Sequence, residues 1–400
     1  MIVIVGGGHA AGQAAAGLRQ GGYGGKVLVV CDEPHIPYQR PPLSKQYLAG
    51  EQGLDRVYLR PDSFYESRDI ELVSGTRAAG IDRKAKVLAL EDGSTIAYEK
   101  LLLATGARVR KLDIPGGTLP GVHYLRDIAD ADDIKADMLP GRRATIVGGG
   151  YIGLEVASVA VRAGLSVTVL EMEDRILKRV ASPEMSDFYH GLHTDAGVDI
   201  RTGASAMRFA GTDRVEQVVC ADGTRIPSDL VVVGIGIVPN VELAESAGLA
   251  CENGIRVDER CTTSDPDVYA AGDCTNHPNP ILGRRLRLES VPNAMEQSRV
   301  AATNMAGGDT VYASMPWFWS DQYDLKLQMV GFSTDGDSHV VRGDPAGRRF
   351  VMFHFSGDVL AAADAINSPR EFLACRQLVG RSVDPGQLAD PGTNLRQLAR

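Results

Sequence analysis

Ile2-Val3-Ile4-Val5-Gly6-Gly7-Gly8-His9-Ala10-Ala11-Gly12 decides the fold, because its pattern returns as Ala144-Thr145-Ile146-Val147-Gly148-Gly149-Gly150-Tyr151-Ile152-Gly153. Each copy reads as a buried strand, a glycine turn and an Ala-rich helix. A second apolar strand follows, Lys26 to Val30 in one copy and Ser166 to Leu170 in the other. An internal duplication of strand–turn–helix–strand units predicts an α/β chain with two Rossmann-like dinucleotide-binding domains.

The glycines have separate tasks in such a turn. The first allows the tight bend, the second lets backbone amides approach a pyrophosphate, and the third lets helix pack on strand. The phosphates then meet the positive end of the helix. Gly148, Gly150 and Gly153 fill all three places in the second copy. In the first, Gly6 and Gly8 are followed by Ala11, a tolerated variant. His9 lies inside that turn, within reach of a phosphate, with its side chain expected to face solvent.

A carboxylate at the end of the second strand can accept both ribose hydroxyls. Asp32 and Glu171 occupy that place in the two copies. A negative charge there repels a 2′-phosphate, so the second site is expected to prefer NADH, unless Arg175 or Arg179 receives the phosphate instead. Two further segments point to a flavin. Leu101-Leu102-Leu103-Ala104-Thr105-Gly106 reads as a buried strand suited to a crossover between nucleotide domains. Thr263 to Asp273 ends in Ala270-Ala271-Gly272-Asp273; in flavoproteins with two dinucleotide folds such an aspartate binds the ribityl chain of FAD.

Composition narrows the alternatives. With 400 residues, 44% apolar and 23% charged, the chain is an ordinary globular protein long enough for two or three cores. A net charge of −9 argues against nucleic acid and anionic membrane as partners. The six cysteines (31, 220, 251, 261, 274, 375) form no Cys-x-x-Cys, so they read as reduced core residues rather than a metal or dithiol centre. His190 and His193 lack the glutamate of a zincin motif and read as structural. No metal site is expected. Neither a long apolar run nor a signal peptide is visible, so a cytoplasmic protein, or a mature form without its leader, is expected.

Beyond the two fingerprints, the chain carries Pro41-Pro42-Leu43-Ser44-Lys45, Tyr124-Leu125-Arg126, Gly234-Ile235-Gly236-Ile237-Val238-Pro239-Asn240, Glu289-Ser290-Val291-Pro292-Asn293-Ala294 and Pro316-Trp317-Phe318-Trp319-Ser320-Asp321-Gln322. With these it resembles the FAD-containing, NADH-dependent ferredoxin reductases of bacterial oxygenase systems, the putidaredoxin reductase-like group. The resemblance runs from Ile2 to about Asn367, and the Trp-rich run is its most specific part. It implies a glutathione-reductase-like FAD/NAD fold. An FAD domain at 1–113 and 243–315 would enclose an NAD domain at 114–242, with a small α/β C-terminal domain from 316 to 400. The Pro/Gly-rich tail after Val379 is expected to be a loop with a short amphipathic end.

The resemblance also implies the site. Gly6, Gly8, His9, Ala10, Ala11, Asp32, Lys45, Ala78, Arg126, Asp273, Val291 and Trp319 are expected at FAD. Gly148, Gly150, Tyr151, Ile152, Gly153, Glu155, Glu171, Arg179 and Gly236 are expected at NADH. Lys45 and Glu155 would form the catalytic pair, a cation near the reactive flavin edge and a carboxylate orienting both the nicotinamide and Lys45. Pro292 suits the first turn of a helix whose positive end would face the flavin's pyrimidine. Trp317 and Trp319 are candidates to line the ring, with plain core as the alternative for Trp317.

The stretch from Glu33 to Arg40 holds no thiol, so electrons must leave to an external acceptor. A two-iron two-sulfur ferredoxin is expected, docked on Arg284, Arg285, Arg287 and Arg299, with the reductase a monomer or weak dimer. The rival readings are an NADH oxidase or peroxidase, which needs a reactive cysteine, a rubredoxin reductase, and a flavoprotein resembling apoptosis-inducing factor. The acids at 32 and 171 generate a direct test: steady-state kinetics are expected to give a higher kcat/KM with NADH than with NADPH, and the reverse order would show that Arg175 or Arg179 takes a 2′-phosphate.

Overall fold

The computed structural model describes residues 1–399. Its contacts group into two compact units: Met1–Arg40 with Gly53–Arg108 and Val238–Pro316, and Pro41–Gln52 with Val109–Ile237 and Trp317–Arg400.

In the first unit Ile2–Val5 is the middle strand of a five-stranded parallel sheet. Val27–Val30 and Ile70–Val73 lie on one side, Lys100–Leu103 and Val268–Ala270 on the other. A sheet buried on both faces calls for unbroken apolar strands, which Ile2-Val3-Ile4-Val5 and Val27-Leu28-Val29-Val30 supply. The helix His9–Gln20 follows the glycine turn. Its alanines and glycines let a second helix, Val291–Met305, come close, so that a methyl on Gly17 would lie 3.3 Å from that of Ala302. Ser290 caps this second helix by accepting from the Asn293 amide, and Pro292 stands in its first turn as expected.

The second unit repeats the plan. Arg143–Val147 is the middle strand, flanked by Ser166–Glu171 and Asp199–Thr202 on one side and Leu230–Val233 and Val122–Tyr124 on the other, all parallel. The outermost strand after the crossover comes late in the chain in the first unit (Val268–Ala270) and early in the second (Val122–Tyr124), so the copies are shifted as well as duplicated. Each unit adds a three-stranded antiparallel meander, Ala78–Asp82, Val87–Leu90 and Thr95–Ala97 in the first, Ala206–Ala210, Gln217–Cys220 and Arg225–Pro227 in the second.

The C-terminal part is an antiparallel five-stranded sheet, ordered Trp317–Gln322, Leu325–Gly331, Val359–Ile366, Arg349–Ser356, Ser338–Asp344. It has no strand–helix–strand alternation. Leu325, Leu327, Met329, Phe350, Met352 and Ile366 from it share one core with Leu154, Val156, Met185 and Tyr189 of the second parallel fold. The tail differs from the expected loop: it forms the short helices Pro385–Ala389 and Leu395–Leu398. The Arg342 guanidinium holds it by donating to the carbonyls of Leu388, Asp390, Pro391 and Thr393. A side-chain fork filling orphan carbonyls does here what a longer helix would otherwise do, and single residues give no sign of it.

The first fingerprint glycine is fixed by sterics. Gly6 has φ +138° and a Cβ there would lie 2.2 Å from the Ala104 carbonyl oxygen, whereas a Cβ on Gly8 would meet nothing within 4 Å. Gly6→Ala is therefore expected to destabilise the first unit by about 3 kcal/mol through overpacking and backbone strain. Gly8→Ala should melt as the parent does and lose only FAD affinity; equal melting temperatures for the two variants would contradict this.

Two buried imidazoles generate a pH prediction. Burial pushes His193, in the second unit, and His277, in the first, down to about 4; Arg285 adds to the effect at His277. Between the ordinary value of 6.5 and about 4 the unfolded chain takes up protons that the folded chain refuses, so stability falls as pH falls through that window. The slope approaches about 1.4 kcal/mol per pH unit for each ring. His277 makes no hydrogen bond at either ring nitrogen among the described residues, so His277→Phe is expected to flatten the slope without loss at pH 7. An unchanged slope would refute the assignment.

Candidate active site

Both glycine turns end at helices that begin without a side-chain cap, at Gly8 and at Gly150. The first amides of each helix are thus left for a ligand. A Cβ on Gly8 or Gly150 would meet nothing within 4 Å, whereas one on Gly153 would lie 2.2 Å from the Gly148 carbonyl oxygen. Close packing on one side of the turn and an open amide cradle on the other fit a dinucleotide diphosphate, so the residues present suit FAD and NADH.

In the first unit the structure gathers Ala10 and Ala11 on the helix after the turn, Asp273 after the strand Val268–Ala270, and Val291 at the start of the second helix. Their junction is Gly272, where a Cβ would lie 3.3 Å from that of Ala10 and 3.6 Å from that of Ala294. Gln297 locks the junction by accepting from the Gly272 amide and the Thr275 hydroxyl. His9 opens the helix and is half-buried. Asp32 is exposed just past the strand end. Ala78 begins the meander. Lys45, Arg126 and Trp319 belong to the second unit.

In the second unit Gly148, Gly150, Tyr151, Ile152 and Gly153 form the turn and the start of the helix Tyr151–Arg162. Glu171 closes on the turn by accepting from the Gly149 amide at 2.8 Å and, with its other oxygen, from the Glu173 amide. Exposed Arg179 lies near Gly236, 4.0 Å from where a Cβ would stand. Arg175 is different: its guanidinium donates to the carbonyls of Lys178, Ala181 and Ser182 and to the Ser186 hydroxyl, and so clamps its own loop. Of the two arginines considered for a 2′-phosphate, only Arg179 makes no hydrogen bond or ion pair among the described residues. Tyr151 turns its ring to Phe318, with centroids 5.2 Å apart, and its hydroxyl to the Met329 sulfur.

Lys45 and Glu155 meet. The ammonium lies 2.6 Å from Glu155 Oε2, with the carboxylate 1% exposed and Lys45 8%. Ser44 donates to the same oxygen at 2.5 Å, and Ser320 donates to Oε1 at 2.6 Å. Ser44 follows from the short 3-10 turn Pro41–Ser44, Glu155 sits one turn into its helix, and Ser320 projects from the first C-terminal strand. Sequence reasoning found the pair and missed both serines. Their signal was available, since each stands inside a quoted motif, but a serine in a motif does not say where it donates.

The C-terminal strand alternates. Phe318, Ser320 and Gln322 face the helix Tyr151–Arg162 and its neighbour, while Trp317 and Trp319 stack on the other face with centroids 5.8 Å apart. Trp317 also packs on Phe372 and under the Arg376 guanidinium. Trp317 is half-buried there.

The cysteines lie where core residues are expected: five are buried and Cys251 is partly exposed. Burial, reinforced by Asp32 and Glu33, pushes the Cys31 thiol up to about 12. A thiol held that high is a poor nucleophile. The arginine run is less open than its sequence suggests. Arg285 donates to the Val257 and Asn276 carbonyls and the Asn276 side chain, and Arg287 pairs with Glu289. Arg299 stands exposed on the helix Val291–Met305. Among the described residues no helix is long and apolar enough to cross a membrane.

Known proteins with this architecture agree on its family. Residues 1–298 match the family described as pyridine nucleotide-disulphide oxidoreductase, and residues 317–399 match the reductase C-terminal family. Putidaredoxin reductase from Pseudomonas putida is 42% identical over 99% of this chain and 96% of its own. The ferredoxin reductase subunit of the 5,5′-dehydrodivanillate O-demethylase of Sphingobium sp. is 46% identical over 99% and 97%. A crystal structure of the covalent putidaredoxin reductase–putidaredoxin complex superposes with a TM-score of 0.96 at 42% identity, covering 99% of this chain and 97% of that one. The chain belongs to the pyridine nucleotide-disulphide oxidoreductase family and, within it, to the putidaredoxin reductase-like ferredoxin reductases.

Proposed function

We propose that this protein takes hydride from NADH onto FAD and passes single electrons to a two-iron two-sulfur ferredoxin that supplies an oxygenase. The buried Lys45–Glu155 pair carries this reading. FAD supplies the conversion of a two-electron donor into one-electron steps. The chain binds it at the turn of Gly6 and Gly8, with His9, Ala10, Ala11, Asp32, Ala78, Arg126, Asp273, Val291 and Trp319 as further contacts. NADH lies on Gly148, Gly150, Tyr151, Ile152 and Gly153, with Glu171 on its ribose and Arg179 and Gly236 beside it. Lys45 provides positive charge at the reactive edge, and Glu155 holds that ammonium and orients the nicotinamide.

The division of labour follows the expected domains: 1–113 with 243–315 for FAD, 114–242 for NADH, and 316–400 for the sheet that brings Ser320 to Glu155. The two relatives described above are named a putidaredoxin reductase and a ferredoxin reductase subunit, which supports this reading over a rubredoxin reductase or an apoptosis-inducing-factor-like protein. The high-held Cys31 thiol argues against a disulfide route. We place the protein in the cytoplasm as a monomer or weak dimer, with Arg299 the leading residue of the docking face beside Arg284.

Anaerobic stopped-flow tests the whole. NADH is expected to reduce the flavin rapidly, and a two-iron ferredoxin is expected to reoxidise it. Glu155→Gln should slow the first phase and spare the second once the flavin is reduced. Arg299→Glu should raise the apparent KM for ferredoxin at low salt and leave NADH-to-ferricyanide activity intact. Reoxidation no faster with ferredoxin than with buffer would overturn the assignment.

A further inference from the structure

The Glu155 carboxylate is the end of a longer buried chain. Ser320 Oγ, which donates to Glu155, accepts from Gln322 Nε2 at 3.1 Å. Gln322 Oε1 faces His193 Nε2 at 2.8 Å, and His193 Nδ1 faces the Tyr323 hydroxyl at 3.0 Å. Ser320, Gln322 and His193 are all buried.

The direction of every bond follows from chemistry. The Gln322 carbonyl oxygen can only accept, so His193 Nε2 carries the proton. Burial keeps the ring neutral near pH 7, so Nδ1 is an acceptor and Tyr323 must donate to it. The Gln322 amide nitrogen can only donate, which turns the single Ser320 proton towards Glu155. Four donors thus point one way, Tyr323 to His193 to Gln322 to Ser320, and end on the anion. Such a run polarises in one sense and strengthens its last bond.

A second observation singles out the far end. Tyr323 sits in the two-residue turn between Trp317–Gln322 and Leu325–Gly331 with φ +55°. A bulky residue in the left-handed region is an outlier that surrounding structure must hold in place. Here that conformation brings the Tyr323 ring edge-on to His193, centroids 5.0 Å apart, with its hydroxyl on Nδ1.

We infer that Tyr323, His193, Gln322 and Ser320 form a one-directional hydrogen-bond chain that positions the Glu155 carboxylate on Lys45, and that Gln322 and Ser320 are positioning residues for the hydride step. The inference rests on the role given to Glu155 above. Nothing in the chain titrates during the reaction. Its task is to keep both Glu155 oxygens in fixed places, one under Ser320 and one under Ser44 and Lys45.

The chain has a signature that does not depend on turnover. Nitrogen NMR on the 15N-histidine holoenzyme at pH 7 is expected to show His193 as the Nε2–H tautomer; an Nδ1–H tautomer would overturn the direction of the whole chain. In stopped-flow, Ser320→Ala should lower the rate of flavin reduction by NADH about tenfold, the worth of one hydrogen bond to a charged group. The NADH dissociation constant should stay within twofold. Gln322→Glu, nearly the same shape, should do likewise because a carboxylate at that position draws the Ser320 proton away from Glu155. Rates within twofold of the parent in both variants, or a dissociation constant that moves in step with the rate, would sink the proposal. If instead Glu155→Gln reduces at the parent rate while the Nε2–H tautomer is found, the chain stands and the catalytic reading of Glu155 falls.

Discussion

A carboxylate buried to 1% exposure is the constraint around which the second unit is arranged. An isolated buried charge costs several kcal/mol in lost solvation, and it persists only where donors replace the water. Glu155 receives three: Lys45 and Ser44 from the segment Pro41–Gln52, and Ser320 from the C-terminal sheet. Removing one partner of such a pair typically costs about 3–5 kcal/mol. The short segment around Lys45 thus groups with the second unit by contact although the chain on either side of it belongs to the first. Ser44 and Lys45 at the carboxylate, Tyr47 on Asp132, and Leu48 in the core are what hold it there.

The glycine turns obey a different constraint, excluded volume. Gly6 lies against the Ala104 carbonyl, Gly148 against that of Gly234, and Gly153 against that of Gly148. In each case a single carbon atom would overlap backbone, which cannot move aside as a side chain can. The first copy uses Ala11 where the second uses Gly153, and Ala11 is fully buried.

These two constraints explain what was legible in the sequence. The parallel sheets were, since strands buried on both faces must be continuous apolar runs and the turns between them must lack side chains. The Lys45–Glu155 pair was legible only through resemblance, because nothing in the spacing of residues 45 and 155 says that they meet. His193 read as a structural histidine, and it is one in the sense of being buried and neutral. Its partners could not be seen, because Gln322 and Tyr323 reach it across a sheet that pairs late in the chain. Within the basic run at Arg284, Arg285 and Arg287, the sequence did not show which side chains find partners in the fold. Identical side chains in sequence became a carbonyl clamp at Arg285 and an ion pair at Arg287, since long cations are drawn to any unfilled acceptor nearby.

The Trp-rich strand shows why the C-terminal sheet belongs to this chemistry. A strand has two faces with period two, and Trp317–Gln322 uses both. Phe318, Ser320 and Gln322 engage Tyr151, Glu155 and His193 on one side, fixing the strand against the helix that begins at the nucleotide turn. Trp317 and Trp319 stack on the other side, and Arg376 and Phe372 hold Trp317 from behind. The same six residues therefore set the carboxylate and the aromatic surface in one rigid register. Shifting that register by one residue would exchange the faces, placing indoles against Glu155 and leaving its charge without the Ser320 donor. The position of Trp319 and the Ser320 donor at Glu155 are consequences of one strand pairing.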